Sequence, residues 1–137
     1  METKTRYIDL DGTLAVEEPW ISPLVIGPPV KKMVERVKRY LAQGDTVIIF
    51  TARITPSIKY GIPEDNSEII KAIKAWCLKH IGQELEVTNI KGHFDTLEDD
   101  RAVGIVKNKG HIKNLDDSKK ALDGVGLSRN IFDKQKD

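Results

Sequence analysis

Tyr7-Ile8-Asp9-Leu10-Asp11-Gly12-Thr13-Leu14 is the stretch on which the fold turns. Tyr7, Ile8 and Leu10 form a short apolar run that carries two acids and ends on a glycine. Such a run predicts a strand feeding a tight turn. Its bland alternative is a solvated acidic turn. A calcium-binding EF-hand is excluded, because its loop needs a third acidic or Asn position before the glycine and a closing Glu. Gly12 arrives too early for that.

Downstream, residues 15–28 hold Pro19, Pro23 and Pro28 and predict an irregular loop. Gly27-Pro28-Pro29 then opens a helix, since proline suits the first helical turn. Val30, Met33, Val34, Val37 and Leu41 recur at helical spacing until Gly44. Thr46-Val47-Ile48-Ile49-Phe50 is a continuous β-branched and aromatic run, which predicts a strand buried on both faces of a parallel sheet. Thr51-Ala52-Arg53 follows at its carboxyl end, and residues 54–63 read as a second loop. Asp65, with Glu68 three residues on, predicts a capping box. Ile69, Ile70, Ile73, Trp76, Cys77, His80 and Ile81 then line one helical face as far as Gly82. Residues 85–90 are a third strand candidate, and 95–99 and 102–106 are shorter ones.

Alternating strands and helices predict an α/β fold, a three-layer α/β/α sandwich on a mostly parallel sheet. Ligands bind such sheets at the carboxyl ends of the strands. Asp9, Asp11, Thr51, Asp99 and Asp100 all fall there. The segment before Asp99 resists the pattern. Residues 91–95 are too few for a crossover helix, so either residues 85–90 are not a standard neighbour of the Asp99 strand or the local topology differs.

The 137 residues suffice for one core, expected over residues 1–114, followed by a polar C-terminal tail over 115–137. A formal net charge of +1 gives no overall field toward nucleic acid or membrane. Lys107, Lys109, His111 and Lys113 still make a local basic cluster, in its plain reading a solvated face and in its sharper one a nucleic-acid contact. The single cysteine, Cys77, forms no internal disulfide and fits a reducing compartment. Residues 1–6 are polar and no apolar run is long enough for a bilayer. The expected location is the cytoplasm, with no membrane partner.

The four acids Asp9, Asp11, Asp99 and Asp100 carry the chemistry. Two like charges ~4 Å apart repel by about 4 kcal/mol at an effective dielectric near 20. A cluster of them either holds protons or surrounds a cation. An all-oxygen set without histidine or cysteine favours Mg²⁺ over Zn²⁺.

Asp9-Leu10-Asp11-Gly12-Thr13-Leu14, Thr51 after an apolar strand, and Asp99-Asp100-Arg101 together resemble the haloacid-dehalogenase-like phosphatase superfamily, across roughly residues 7–110. The segment from Asn89-Ile90-Lys91 to Asp99-Asp100-Arg101-Ala102 is similar to small phage and bacterial members. The Asp-Asp-Arg run also resembles the phosphatase half of polynucleotide kinase-phosphatases, although no P-loop is present. The resemblance implies a Mg²⁺-dependent phosphomonoester hydrolase. Asp9 would be the nucleophile, forming an aspartyl-phosphate, and Asp11 the general acid and base. Thr51 would bind a phosphoryl oxygen, and Lys91 would neutralise nucleophile and phosphate. Asp9, Asp11, Asp99 and Asp100 would form the metal set, Asp11 through its backbone carbonyl, with Asp100 the favoured direct ligand of the last two. Arg53 would reach the substrate phosphate or form a surface ion pair. His93 is a further acid-base candidate. No insert is large enough for a cap domain. An open site implies a bulky partner such as a nucleotide or polynucleotide end, a phosphorylated small molecule, or a homo-oligomer in which a second subunit closes the site. The alternatives are a nucleotidase or polynucleotide 3′-phosphatase, and a non-catalytic receiver-like module binding Mg²⁺ or phosphate.

Overall fold

The computed structural model describes residues 2–55, 58–59, 62–63 and 65–113; the tail expected over 115–137 lies outside them. The chain divides into two compact units, Met1–Asp100 and Arg101–Asp137. Every helix and strand among the described residues belongs to the first.

Strand β1 (Thr5–Asp9) is followed by helix α1 (Lys31–Ala42), strand β2 (Thr46–Phe50), the short pair β3 (Ile58–Lys59) and β4 (Ile62–Pro63), helix α2 (Ser67–Ile81), and strands β5 (Glu86–Thr88) and β6 (Thr96–Glu98). The main sheet is entirely parallel, in the order β5-β2-β1-β6. β3 and β4 pair antiparallel by themselves. Ile8 lies opposite Ile49 on one side and Glu98 on the other, and Asp9 lies opposite Phe50. The central strand therefore ends on the expected nucleophile.

Helix α1 starts beyond Pro28-Pro29 with no side-chain cap, and the Val30 N–H donates instead to Leu14 O at 2.8 Å. That bond ties the helix start to the turn after β1. At α2 the expected capping box is displaced. Asn66, not Asp65, is the N-cap, and its amide is committed to Thr55, with Nδ2 donating to Thr55 O at 2.9 Å. Asp65 still accepts the Ser67 N–H at 2.9 Å, satisfying one orphan donor of the first turn. Gly82 closes the helix at φ 104°, where a side chain would be strained.

Both helices share one apolar cluster with the sheet: Ile8, Val47 and Ile49 pack with Val34 and Val37 of α1 and with Ile73, Trp76, Cys77 and Ile81 of α2. β2 is not buried equally on its two faces. Val47 and Ile49 are buried, whereas Ile48 and Phe50 are half-buried. Among the described residues no helix covers that second face. Its cover is the connection through residues 89–95, whose Phe94 ring sits 4.9 Å from Tyr7, itself 5.4 Å from Phe50. The Gly92 N–H donates to Tyr7 Oη at 3.3 Å, and a Cβ on Gly92 would lie 2.7 Å from that oxygen.

This connection resolves the short-crossover problem. β5 and β6 are not neighbours but occupy opposite edges. Crossing three strand spacings takes about 14 Å, while seven extended residues reach about 24 Å. A bare strap across the sheet face suffices, with no helix in it.

Arg6, an unexpected charge in the first strand, forms an ion pair with the buried Asp45 at 2.8 Å and stacks 3.9 Å over the Tyr40 ring. Arg6 first, then Gln43 and the Lys4 N–H, holds the Asp45 carboxyl down to about 2. In the second unit the strand expected over 102–106 is absent. Ile105 and Ile112 form only an isolated antiparallel bridge.

Candidate functional site

Asp9 closes β1, and the chain turns at once. Leu14 and Ala15 donate backbone N–H bonds to Leu10 O at 3.0 and 2.8 Å, and Gly12 N donates to Ala15 O at 2.8 Å. The turn needs φ 86° at Gly12, and a Cβ there would lie 2.7 Å from Asp100 Oδ2. Glycine is required twice over, for backbone conformation and for the approach of an acid.

That approach completes a cluster. Asp9, Asp99 and Asp100 each offer a carboxylate oxygen, and these oxygens lie within 4.8 Å of one another. Thr13, buried at the centre, holds two of them. Its Oγ1 lies 3.3 Å from Asp9 Oδ2 and 3.1 Å from Asp100 Oδ1, and accepts the Asp100 N–H at 3.0 Å. Burial first, then the hydrogen bond and charge of Asp100 together with the charge of Asp99, pushes the Asp9 carboxyl up to about 7. Three crowded carboxylates, one of them reluctant to ionise, suit a hard divalent cation with oxygen ligands such as Mg²⁺.

Asp11 is not in this group. Its carboxylate is forked by Arg53, with Nε to Oδ2 at 2.7 Å and Nη2 to Oδ1 at 2.8 Å. Arg53 Nη1 also donates to Pro23 O at 3.0 Å, and its guanidinium lies 5.0 Å from the Trp20 ring. The Arg53 side chain is only 7 % exposed. It is a buried strut joining Asp11, the 15–28 loop and the end of β2, not a surface ion pair.

Thr51 is buried at the end of β2. Its backbone N–H bonds Thr88 O at 3.0 Å, and its Oγ1 accepts the Arg53 N–H at 3.1 Å, which leaves the hydroxyl proton to donate. Asp9, Thr51, Asn89 and Asp99 line one cleft of ≈ 370 Å³, with Phe50 and Ile54 as its apolar wall. Lys91 is exposed and does not line that cleft; its Nζ lies 6.0 Å from the Phe94 ring, on the strap. His93 is exposed on the same strap.

Two site residues escaped the sequence reading. Thr13 stands inside the quoted motif, but nothing local shows that its hydroxyl joins Asp9 to Asp100, an acid 87 residues beyond Thr13 in the chain. Asn89 directly follows β5, at the carboxyl end of the sheet where ligands bind, and that position was its available signal. Its Nδ2 donates to Ile54 O at 3.1 Å.

No family model and no curated protein matches the chain. A solved structure, described as that of a conserved protein coded by a locus from Bacteroides thetaiotaomicron, is similar. It is 20 % identical, with 78 % of this chain and 84 % of that one covered, at a TM-score of 0.52. At that identity the likeness is one of fold, a parallel-sheet α/β architecture. No helix among the described residues is long and apolar enough to cross a membrane.

Proposed function

We propose that the chain is a Mg²⁺-dependent phosphomonoester hydrolase of the haloacid-dehalogenase-like type, with Asp9 as nucleophile. One observation carries the reading: three acids from the ends of β1 and β6 converge within 4.8 Å, and Asp9 and Asp99 among them face a cleft shared with Thr51. A parallel sheet with no large cap among the described residues is compatible with that superfamily.

Asp9, Asp99 and Asp100 would hold the ion. When bound, Mg²⁺ supplies the positive charge that lets Asp9 ionise beside two other carboxylates and offsets charge on the phosphoryl oxygens. An Asp9 oxygen attacks phosphorus, forming the aspartyl-phosphate as the bond to the leaving oxygen breaks. Thr51 donates its hydroxyl proton to a phosphoryl oxygen. Asp11 delivers a proton to the leaving oxygen, then takes one from the water that attacks the aspartyl-phosphate, which frees Asp9 and releases phosphate. For this Asp11 must loosen from Arg53, and phosphoryl oxygens are natural competitors for the guanidinium fork.

A panel of phosphomonoesters with Mg²⁺ or with EDTA tests the reading. Hydrolysis is expected with the metal, and Asp9→Asn should lower it by about 10³-fold or more. Turnover surviving that substitution would discard the covalent route. Preferential cleavage of nucleotides or 3′-phosphorylated polynucleotides would narrow the enzyme to that class. The fork on Asp11 favours a second reading, a receiver-like Mg²⁺ or phosphate-binding module, because both of its carboxylate oxygens are engaged by Arg53. Metal binding without turnover on any ester would support that module.

A further inference from the structure

We infer that the basic hairpin of the second unit is a nucleic-acid contact, independent of the acidic cleft. The Val106 N–H donates to His111 O at 2.7 Å, the Lys113 N–H to Gly104 O at 2.8 Å, and the Lys109 N–H to Val106 O at 3.1 Å. Asn108 at φ 64° and Gly110 at φ 74° turn the chain between them. These bonds fix a tight tip, Lys107-Asn108-Lys109-Gly110, exposed at every residue. Two ammonium groups project from a loop held by its own backbone. Neither Lys107 nor Lys109 has an ion pair among the described residues.

The sequence of the hairpin is one-sided in charge. Residues 101–113 hold Arg101, Lys107, Lys109 and Lys113 and no acid, a formal +4 in a chain of net +1, so the remaining residues carry −3. A polyanion is therefore drawn to this hairpin and repelled by the rest of the chain. Closely spaced point charges on an exposed tip match the phosphates of a nucleic-acid backbone, read without sequence preference. The four tip residues have no apolar side chain, while Ile105 and Val106 beside them are exposed, so a comparison with vesicles separates a membrane surface from nucleic acid.

Fluorescence anisotropy of the full chain with a labelled single-stranded oligonucleotide lacking terminal phosphates tests this whether or not the cleft hydrolyses esters. Binding should weaken as salt rises. Lys107→Glu with Lys109→Glu should weaken it about tenfold or more, and the neutral Lys→Gln pair should lower the log–log salt slope by about 1.4, roughly 0.7 per lost phosphate contact. The Lys→Arg pair should retain binding. Reversing Lys32 and Lys38, exposed on α1, changes net charge equally and should leave binding intact. No binding at low salt, equal loss from both reversed pairs, or equal retention on phosphatidylserine vesicles would overturn the proposal.

Discussion

Asp9 and Asp11 stand two residues apart and face opposite electrostatic surroundings. Asp9 is crowded by acids and pushed up to about 7; Asp11 is forked by a buried guanidinium. Their removal should therefore act with opposite signs on the metal-free protein. An acid whose folded value lies above its unfolded one binds more protons folded, so stability falls as pH rises from about 4 to about 7. Asp9→Asn removes that penalty. Thermal melting in EDTA should show it more stable than the parent at pH 8, by on the order of 2 kcal/mol after allowance for partial exposure, with the gap closing toward pH 4. Asp11→Asn instead leaves Arg53 buried without its counter-charge and should cost about 2–3 kcal/mol under the same conditions. The acids themselves were legible, because two aspartates beside a glycine after an apolar run carry a specific signal. Their divergence was not. It depends on Arg53, 42 residues away, and on Thr13 touching Asp100, and no local pattern encodes either contact.

Among the elements, α1, α2 and β2 were readable because each has a full period of apolar residues or an unbroken β-branched run, and β1 because its short apolar run ends on a glycine turn. β6, Thr96–Glu98, falls inside the short candidate over 95–99, although three residues are too few for periodicity. The strap over residues 89–95 has no period at all, and only the pairing of β5 and β6 to different partners explains it. That strap is testable at one contact. Gly92→Ala places a methyl against Tyr7 Oη, where 2.7 Å is available, and should cost about 1–3 kcal/mol. Tyr7→Phe removes that oxygen, so Gly92→Ala should be milder when combined with it. Urea unfolding of the parent, the two single variants and the double variant would show the non-additivity. At the foot of β1, the pairing of Arg6 with Asp45 gives a second test. The Asp45 carboxyl lies at about 2, below its unfolded value near 3.9. Its contribution is complete above about pH 4 and is lost as pH falls through about 2. Asp45→Asn should melt below the parent at neutral pH and converge with it in strong acid.

For the whole molecule, parallel-sheet topology was legible from the alternation of strands and helices. The distribution of cover over the two sheet faces was not, since burial of β2 depends on what crosses it. Under the proposed function, oxygen ligands from β1 and from the end of β6 would make the metal a link between central and edge strands. Mg²⁺ should raise the melting temperature as RT ln(1 + [Mg²⁺]/Kd), and EDTA should reverse the rise. Asp99→Asn with Asp100→Asn should abolish it. β1 is paired along both sides, whereas among the described residues β6 is paired on one side only and arrives on a leash whose one backbone–backbone bond to the sheet is from the Asp95 N–H to Thr5 O. Deuterium uptake should accordingly be slowest in β1 and quickest in β6. On the proposed reading, the nucleophile would ride on the stiffest rail of the sheet and its companion acids on the loosest, and the cation would work as a clasp that shuts only when both come to hand.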